Sequence, residues 1–291
     1  MITKEQQKAI DLEDRKIAGN LSQIAHRIVV FSGKGGVGKT TVSVNLAYGL
    51  VLMGRRTGIL DADVTGPNVP KMLGLNEQLV LVNNRMIPHE RDGVKVISLA
   101  TIIPPDQPVV WRGPLRSRLL YQFLGDVEWG PLDYLVADLP PGTGDEILTM
   151  TQKMEPDLAI IVTTPQEMSL IDSSRAVTMA RQVGVPHIGI VENMSGLRCP
   201  GCGHRIDLFG SGGGEAQAKR MNVRFLGALP IDAETREMAD RGRPIILEDR
   251  GAEISRAFFR IAESVEEILG RPACATVDER KDIESAVPRD D

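Results

Sequence analysis

The sequence predicts an α/β fold in which a mostly parallel, twisted sheet is covered by helices on both faces. Two observations lead to this prediction. Short apolar runs without polar alternation, as in strands buried on both faces, alternate with segments of helical periodicity. The first of these runs also passes through a glycine-rich loop directly into a helix, which is the strand–loop–helix unit of such sheets.

The apolar runs and helical patterns give the predicted elements in chain order. The predicted strands are residues 27–31, 57–61, 94–99, 134–138, 158–163, 188–192 and 225–229. The predicted helices are residues 40–53, 114–124, 145–154, 169–182, 214–221, 233–241 and 253–269. A small hairpin is predicted over residues 79–88, turning at Asn83 and Asn84.

The chain of 291 residues is predicted to form one domain, since no repeat or low-complexity linker divides it. This domain spans residues 27–270 and includes a metal-binding loop at 197–214. Residues 1–26 are predicted to be a polar, loosely attached helical arm, and residues 271–291 a disordered tail.

Composition argues against nucleic-acid and membrane partners. The net charge is −5 and aromatic residues make up 4%, which is not typical of a nucleic-acid surface. No apolar run approaches the roughly 20 residues of a membrane span, and the N-terminus lacks the apolar core of a signal peptide. The apolar stripe of the last helix is predicted to pack in the core, because its other face is rich in glutamate. We therefore expect a cytoplasmic protein.

Residues 33–40 fit the phosphate-loop pattern G-x-x-x-x-G-K-[ST]. Glycines allow successive N–H groups to turn inward, and the start of the next helix adds positive charge, so the loop is predicted to bind the phosphates of a nucleotide. Lys39 is predicted to reach the β and γ phosphates, and the Thr40 hydroxyl to bind Mg²⁺. The predicted loop residues are Gly33, Lys34, Gly35, Gly36, Val37, Gly38, Lys39, Thr40 and Thr41.

Lys34 directly follows the first glycine of the loop, and the resulting G-K-G-G-V-G-K-T resembles the deviant loop of the MinD/ParA/nitrogenase-iron-protein class. The resemblance implies a P-loop NTPase fold of that type, with Lys34 reaching the phosphates bound by a second subunit. ATP-dependent homodimerisation is then expected. The alternative is an ordinary solvated lysine.

Aspartates at the ends of two predicted strands complete the hydrolysis site. Asp138 ends a buried strand, where the second carboxylate of a phosphate-loop enzyme holds Mg²⁺ through water. Asp61 and Asp63 follow another strand. Asp63 is predicted to orient the attacking water, and Asp61 to lie near the metal shell or to serve only loop hydration.

Asn193 follows the strand at 188–192 and resembles the adenine-contacting asparagine of the MinD class. Pro230 ends the next strand and resembles part of the loop that closes over the base. Asn193 equally suits a turn.

Cys199 and Cys202 form a C-P-x-C-G knuckle whose proline and glycines direct both thiolates at one metal. Zinc and iron–sulfur centres usually take four ligands, and two-fold symmetry brings the same two cysteines from each subunit of a dimer together. A bridging zinc and a redox dithiol remain alternatives. Zinc and an iron–sulfur cluster cannot be told apart by the ligand set, because both accept four thiolates. His204 is a weak candidate for a third ligand, and Cys274 is expected to be an isolated thiol.

The chain resembles the Mrp/ApbC/Nbp-type iron–sulfur cluster carrier ATPases over about residues 27–247. The resemblance rests on the phosphate loop and on L-D-A-D-V-T-G-P-N, D-L-P-P-G-T-G-D, V-E-N-M-S-G, C-P-G-C-G-H and L-G-A-L-P-I-D, in this order. It implies a [4Fe–4S] cluster held between two subunits by Cys199 and Cys202. It also implies a cluster donor, apoprotein acceptors, and a slow ATPase coupled to cluster binding or transfer. A zinc-bridged nucleotide switch and a MinD/ParA-like positioning ATPase are the alternative functions.

Overall fold

The computed structural model describes residues 4–63, 66–102, 113–199 and 201–271. The strands are β1 (Ile24–Phe31), β2 (Thr57–Asp61), β3 (Val80–Val82), β4 (Arg85–Ile87), β5 (His89–Arg91), β6 (Val94–Ser98), β7 (Leu132–Asp138), β8 (Leu158–Thr163), β9 (His187–Glu192), β10 (Leu197–Arg198), β11 (Arg205–Ile206) and β12 (Arg224–Ala228). The α-helices are α1 (Lys4–Leu21), α2 (Lys39–Leu52), α3 (Val69–Leu73), α4 (Gly113–Gly125), α5 (Asp145–Met154), α6 (Glu167–Val183), α7 (Gly213–Met221), α8 (Ala233–Asp240), α9 (Ile245–Glu248) and α10 (Glu253–Leu269).

Eight strands form the central sheet in the order β12-β9-β8-β1-β7-β2-β6-β5. All neighbours are parallel except β5, which pairs antiparallel with β6 at one edge. Helices α1, α4, α5, α6 and α7 contribute to the core on one face of the sheet. Helices α2, α3, α9 and α10 contribute to the core on the other face. The predicted fold class is thus confirmed.

Every predicted strand and helix is present, with ends that differ by at most three residues. The predicted hairpin is formed by β3 and β4, and both turn residues have positive φ, 51° at Asn83 and 61° at Asn84. The pattern did not predict β5, because its His-Glu-Arg sequence carries no apolar residue to mark a strand. This strand pairs antiparallel with β6 through the backbone at the edge of the sheet.

The N-terminal helix α1 is packed on the domain and is not a loosely attached arm. Ile17 and Leu21 are 3% and 2% exposed within the core beneath α4 and α5. The Asn20 side chain donates to the Leu124 carbonyl at 2.7 Å. The expectation of a separate arm over residues 1–26 is therefore corrected. Polar residues dominate this helix by count, and the few apolar positions that dock it were too sparse to signal the contact.

Helix α10 packs against α2 along its apolar stripe, with Ile254, Phe258, Ile261 and Val265 all buried. The predicted core role of this stripe is confirmed. None of the helices in the described ranges is long and apolar enough to cross a membrane. The predicted tail and Cys274 lie outside the described residues, apart from Arg271.

Candidate functional site

The glycine-rich loop joins β1, in the middle of the sheet, to the first turn of α2. Gly38 is the residue before α2 and has φ of +83°, a conformation that other residues rarely adopt. Gly33 lies so close to α6 that a Cβ there would come within 2.3 Å of the Asp172 carbonyl carbon. Both positions therefore favour glycine, Gly33 for lack of space and Gly38 for its backbone conformation. Its amides and the start of α2 form a cradle suited to an anion.

Lys39, Thr40 and Ser43 converge on Asp138, which is fully buried at the end of β7. Thr40 Oγ1 donates to Asp138 Oδ2 at 2.8 Å, and Ser43 Oγ donates to Oδ1 at 2.7 Å. The carboxylate is thus fixed beside the loop hydroxyl, and together these oxygens suit Mg²⁺, which favours oxygen ligands and water. Sequence reasoning missed Ser43, although its place one helical turn after Thr40 signals the same helix face.

The ammonium group of Lys39 lies between two carboxylates. Its Nζ is 2.8 Å from Asp138 Oδ2 and 3.5 Å from Asp63 Oδ2. Although these distances define ion pairs, neither contact has hydrogen-bond geometry, and Nζ is buried without an aligned partner among the described residues. A buried ammonium with unused donors suits a phosphate group.

Asp61 and Asp63 have separate environments. Asp61 is fully buried and accepts hydrogen bonds from Ser98 Oγ at 2.9 Å and from the Val69 amide at 3.2 Å. Burial raises the pKa of Asp61 to about 8, and the charge of Asp138 adds to the rise. Asp61 therefore anchors the strand end and the start of α3, whereas Asp63 faces Lys39.

Asn193 lies against the glycine-rich loop. Its side-chain Nδ2 donates to the Val37 carbonyl at 2.9 Å, and a Cβ on Gly38 would lie 2.1 Å from the same nitrogen. Pro230 is half-buried in the loop that follows β12. Backbone bonds from Leu229 to Glu192 and from Ser195 to Leu229 join this loop to the one after β9. The structure thus brings the two predicted base-contacting positions to one rim of the sheet.

The cysteine pair lies at the tip of a two-stranded hairpin formed by β10 and β11. The Cys199 amide donates to the His204 carbonyl at 2.9 Å, and the Gly203 amide donates to the Cys199 carbonyl at 2.8 Å. Amides of Cys202 and Gly201 hydrogen-bond the Cys199 sulfur and lower the pKa of that thiol. Cys199 is half-exposed and Cys202 is exposed. A thiolate at Cys199 is therefore stabilised at the surface.

No group of three or more histidine, cysteine or carboxylate side chains with metal-site geometry occurs in the described part of the chain. His204 is exposed and does not complete such a group with the cysteines. The described residues of one chain therefore offer two thiols to a metal.

Exposed apolar side chains, here called the hairpin patch, lie on two segments, namely the end of the cysteine hairpin with the residues just after it, and the start of α6. The members of the patch are Met168, Ile171, Ile206, Leu208 and Phe209, which are between 37% and 67% exposed. The two segments meet where Gly210 and Gly213 approach Pro165. Sequence reasoning missed this patch because its residues come from separate elements. Exposed apolar side chains on neighbouring segments are typical of an interaction surface.

Comparison with known proteins identifies relatives of the whole described domain. A family model described as a ParA-type NUBPL iron-transfer P-loop NTPase matches residues 23–266. An iron–sulfur cluster carrier protein of Methanocaldococcus jannaschii is 50% identical over 266 residues, covering 89% of this chain and 91% of that protein. A carrier of the same description from Synechocystis is 45% identical, covering 91% of this chain and 76% of that protein.

Solved structures give the same fold. A nucleotide-binding protein of Archaeoglobus fulgidus, solved with ADP and cobalt, has a TM-score of 0.74 and 39% identity, covering 84% of this chain and 96% of that chain. The cell division ATPase MinD of Pyrococcus furiosus has a TM-score of 0.63 and 26% identity, covering 84% and 99% of the two chains.

Proposed function

Because this chain belongs to the NUBPL-type iron-transfer P-loop NTPases, we propose that it is an ATP-hydrolysing carrier of a [4Fe–4S] cluster. In this proposal two copies of the chain hold the cluster between them and pass it to apoproteins. The observation that carries the proposal is the exposed hairpin with Cys199 and Cys202 at its tip. Homologues that are described as iron–sulfur cluster carriers, and that the match covers over 91% and 85% of their length, support it.

Two-fold symmetry supplies the ligands that one hairpin lacks. A cubane cluster is held by about four thiolates, and the described residues of one chain present two at this site. In a symmetric dimer the same surface of each subunit meets its copy, so two hairpins provide four sulfurs. The hairpin patch supports this arrangement, because a second copy would bury its apolar residues beside the cluster.

The phosphate loop and its carboxylates form the ATPase site in this proposal. Lys39 binds the β and γ phosphates, and Asp63 orients the water that attacks the γ-phosphorus. Thr40 and Asp138 would hold Mg²⁺, which neutralises charge on the phosphate oxygens when bound. Lys34 contacts the nucleotide of the partner subunit. Asn193 and Pro230 lie beside the adenine.

Metal analysis of anaerobically purified protein tests the carrier function. The wild type is expected to bind about four iron and four sulfide per dimer. The double variant Cys199→Ala/Cys202→Ala should lose both, whereas Cys274→Ala, the matched control, should keep them. Transfer is measured as the activity regained by an apo-enzyme that needs a [4Fe–4S] cluster. Stoichiometric zinc that persists after iron–sulfide reconstitution would instead show a zinc-bridged switch and overturn the carrier function.

A further inference from the structure

A buried carboxylate lies between the phosphate loop and the cysteine hairpin. Glu192 is the last residue of β9 and is fully buried. Its Oε1 accepts hydrogen bonds from Ser195 Oγ at 2.5 Å and from the Gly212 amide at 2.9 Å. Its Oε2 accepts one from the Gly214 amide at 2.5 Å. Three donors thus satisfy a charge that would otherwise be costly to bury.

These three donors lie on both sides of the cysteine hairpin. Ser195 precedes the hairpin, and Gly212 and Gly214 follow it at the start of α7. The contact is tight, because a Cβ on Gly214 would lie 2.9 Å from the Glu192 Cβ. The carboxylate also faces the N-terminus of α7, where negative charge is favoured. Glu192 therefore fixes both ends of the segment that carries the metal-binding thiols.

The residue next to Glu192 is in contact with the phosphate loop. Asn193 donates to the Val37 carbonyl, and its amide nitrogen fills the space that a side chain on Gly38 would need. The second half of the loop cannot shift toward this strand end without displacing Asn193. Adjacent residues at the end of one strand therefore contact the nucleotide loop and both ends of the hairpin.

Phosphate binding fixes the loop amides, and this constraint reaches Asn193 through Val37 and Gly38. Loss of any of the three hydrogen bonds leaves the buried Glu192 carboxylate less well satisfied, which is disfavoured, so Glu192 keeps its three donors together. A shift of this strand end at the loop is thus passed to Ser195, Gly212 and Gly214. We propose that Glu192 is a positioning residue through which nucleotide binding sets the mobility of the cysteine hairpin. The inference deepens the proposed carrier function and rests on it for its biological meaning.

Amide hydrogen exchange tests this coupling in the full-length chain. The readout is the ratio of exchange rates of peptides within residues 197–209, measured without nucleotide and with saturating Mg-ADP. ADP is used because ATP is expected to drive dimerisation, which would shield the hairpin by itself. ADP affinity is measured for each variant so that every comparison is made at saturation. In the wild type, ADP should slow exchange by about fivefold.

Glu192→Gln should reduce this ratio to less than about twofold, even with ADP bound. The oxygen of a glutamine side chain can accept one of the two backbone hydrogen bonds, but its NH₂ group would face the N–H of either Gly212 or Gly214. The matched control is Glu253→Gln, because Glu253 is half-exposed and bonds Arg198 of the same hairpin at 2.9 Å. This control should keep the wild-type ratio. If Glu253→Gln lost the wild-type ratio, the result would show general loosening of the hairpin and overturn a specific role for Glu192.

A second variant guards against misfolding of Glu192→Gln. Ser195→Ala removes one donor and leaves the carboxylate bonded to two amides, so the chain should fold and the ratio should fall below that of the wild type. A wild-type ratio in either variant, or no ADP response in the wild type, overturns the inference. Iron content is measured separately. Failure of the carrier function therefore appears as absent iron in the wild type. Failure of the coupling appears as a wild-type exchange ratio in a variant, or as no effect of ADP on exchange in the wild type.

Discussion

Gly33→Ala is expected to disrupt the nucleotide site through contact with α6. A Cβ at this position would lie 2.3 Å from the Asp172 carbonyl carbon and 2.4 Å from its oxygen. Carbon atoms pack at about 3.5 Å or more, so the two segments must separate by about 1 Å. Both contacts are to helix backbone, which cannot rotate away as a side chain can. We expect the substitution to cost about 1–3 kcal/mol of folding free energy.

Two assays measure this effect. At about 2–4 °C per kcal/mol for a domain of this size, the midpoint of thermal unfolding should fall by about 2–12 °C. Calorimetric titration should show Mg-ADP affinity lowered by about tenfold or more, since the strain is relieved by moving the loop. The control is Gly19→Ala in α1, outside the phosphate loop, where an added Cβ would meet no atom within 4 Å. Equal ADP affinity and equal unfolding midpoints in the two variants would refute the packing argument.

Four further predictions concern other parts of the chain. Asp138→Asn should abolish the Mg²⁺-dependent part of ADP affinity, measured by titration with and without EDTA; a retained Mg²⁺ effect would contradict the metal role. Lys34→Ala should sediment as a monomer in ATP, and a dimer would contradict its reach across the interface. Ile17→Ala should lower the free energy of unfolding by about 2–5 kcal/mol. Leu12 is 70% exposed, so Leu12→Ala should change this free energy by less than about 0.5 kcal/mol. Equal effects of the two substitutions would show that α1 is not docked. In metal-free protein, the lowered pKa of Cys199 keeps it a thiolate down to lower pH. As the pH is lowered, its rate of alkylation by iodoacetamide should therefore persist further down the pH scale than the rate of a cysteine in a small peptide. Peptide-resolved mass spectrometry measures that rate, and coincident pH profiles would contradict the stabilisation by backbone amides.

Signals confined to a few neighbouring residues made most elements predictable. A strand buried on both faces needs mostly apolar side chains, so β7 and β8 are visible as apolar runs. The phosphate loop depends on the φ angles and side chains of eight consecutive residues. The turn at Asn83 and Asn84 depends on the positive φ angles of these two residues. The edge strand β5 carries no such signal, because an edge strand needs only a neighbour's free backbone groups.

The roles proposed for single residues depend on contacts that no local pattern contains. Asn193 and Val37 are 156 positions apart, yet one side-chain amide joins them. Sequence reasoning placed Asn193 at the correct edge of the sheet, since parallel strands end on the same side. It gave no indication that the side chain would bond the phosphate loop.

The sequence by itself determined the fold class, the position of the phosphate loop and the cysteine pair, because each is encoded by residues adjacent in the chain. Only the tertiary structure decided that α1 is part of the core and that Gly33 is closed in by α6. It also decided that Glu192 holds both ends of the cysteine hairpin. These features arise when distant segments are packed at close range. Their free energies come from buried area, steric fit and the satisfaction of a buried charge, none of which is a property of a short stretch of sequence.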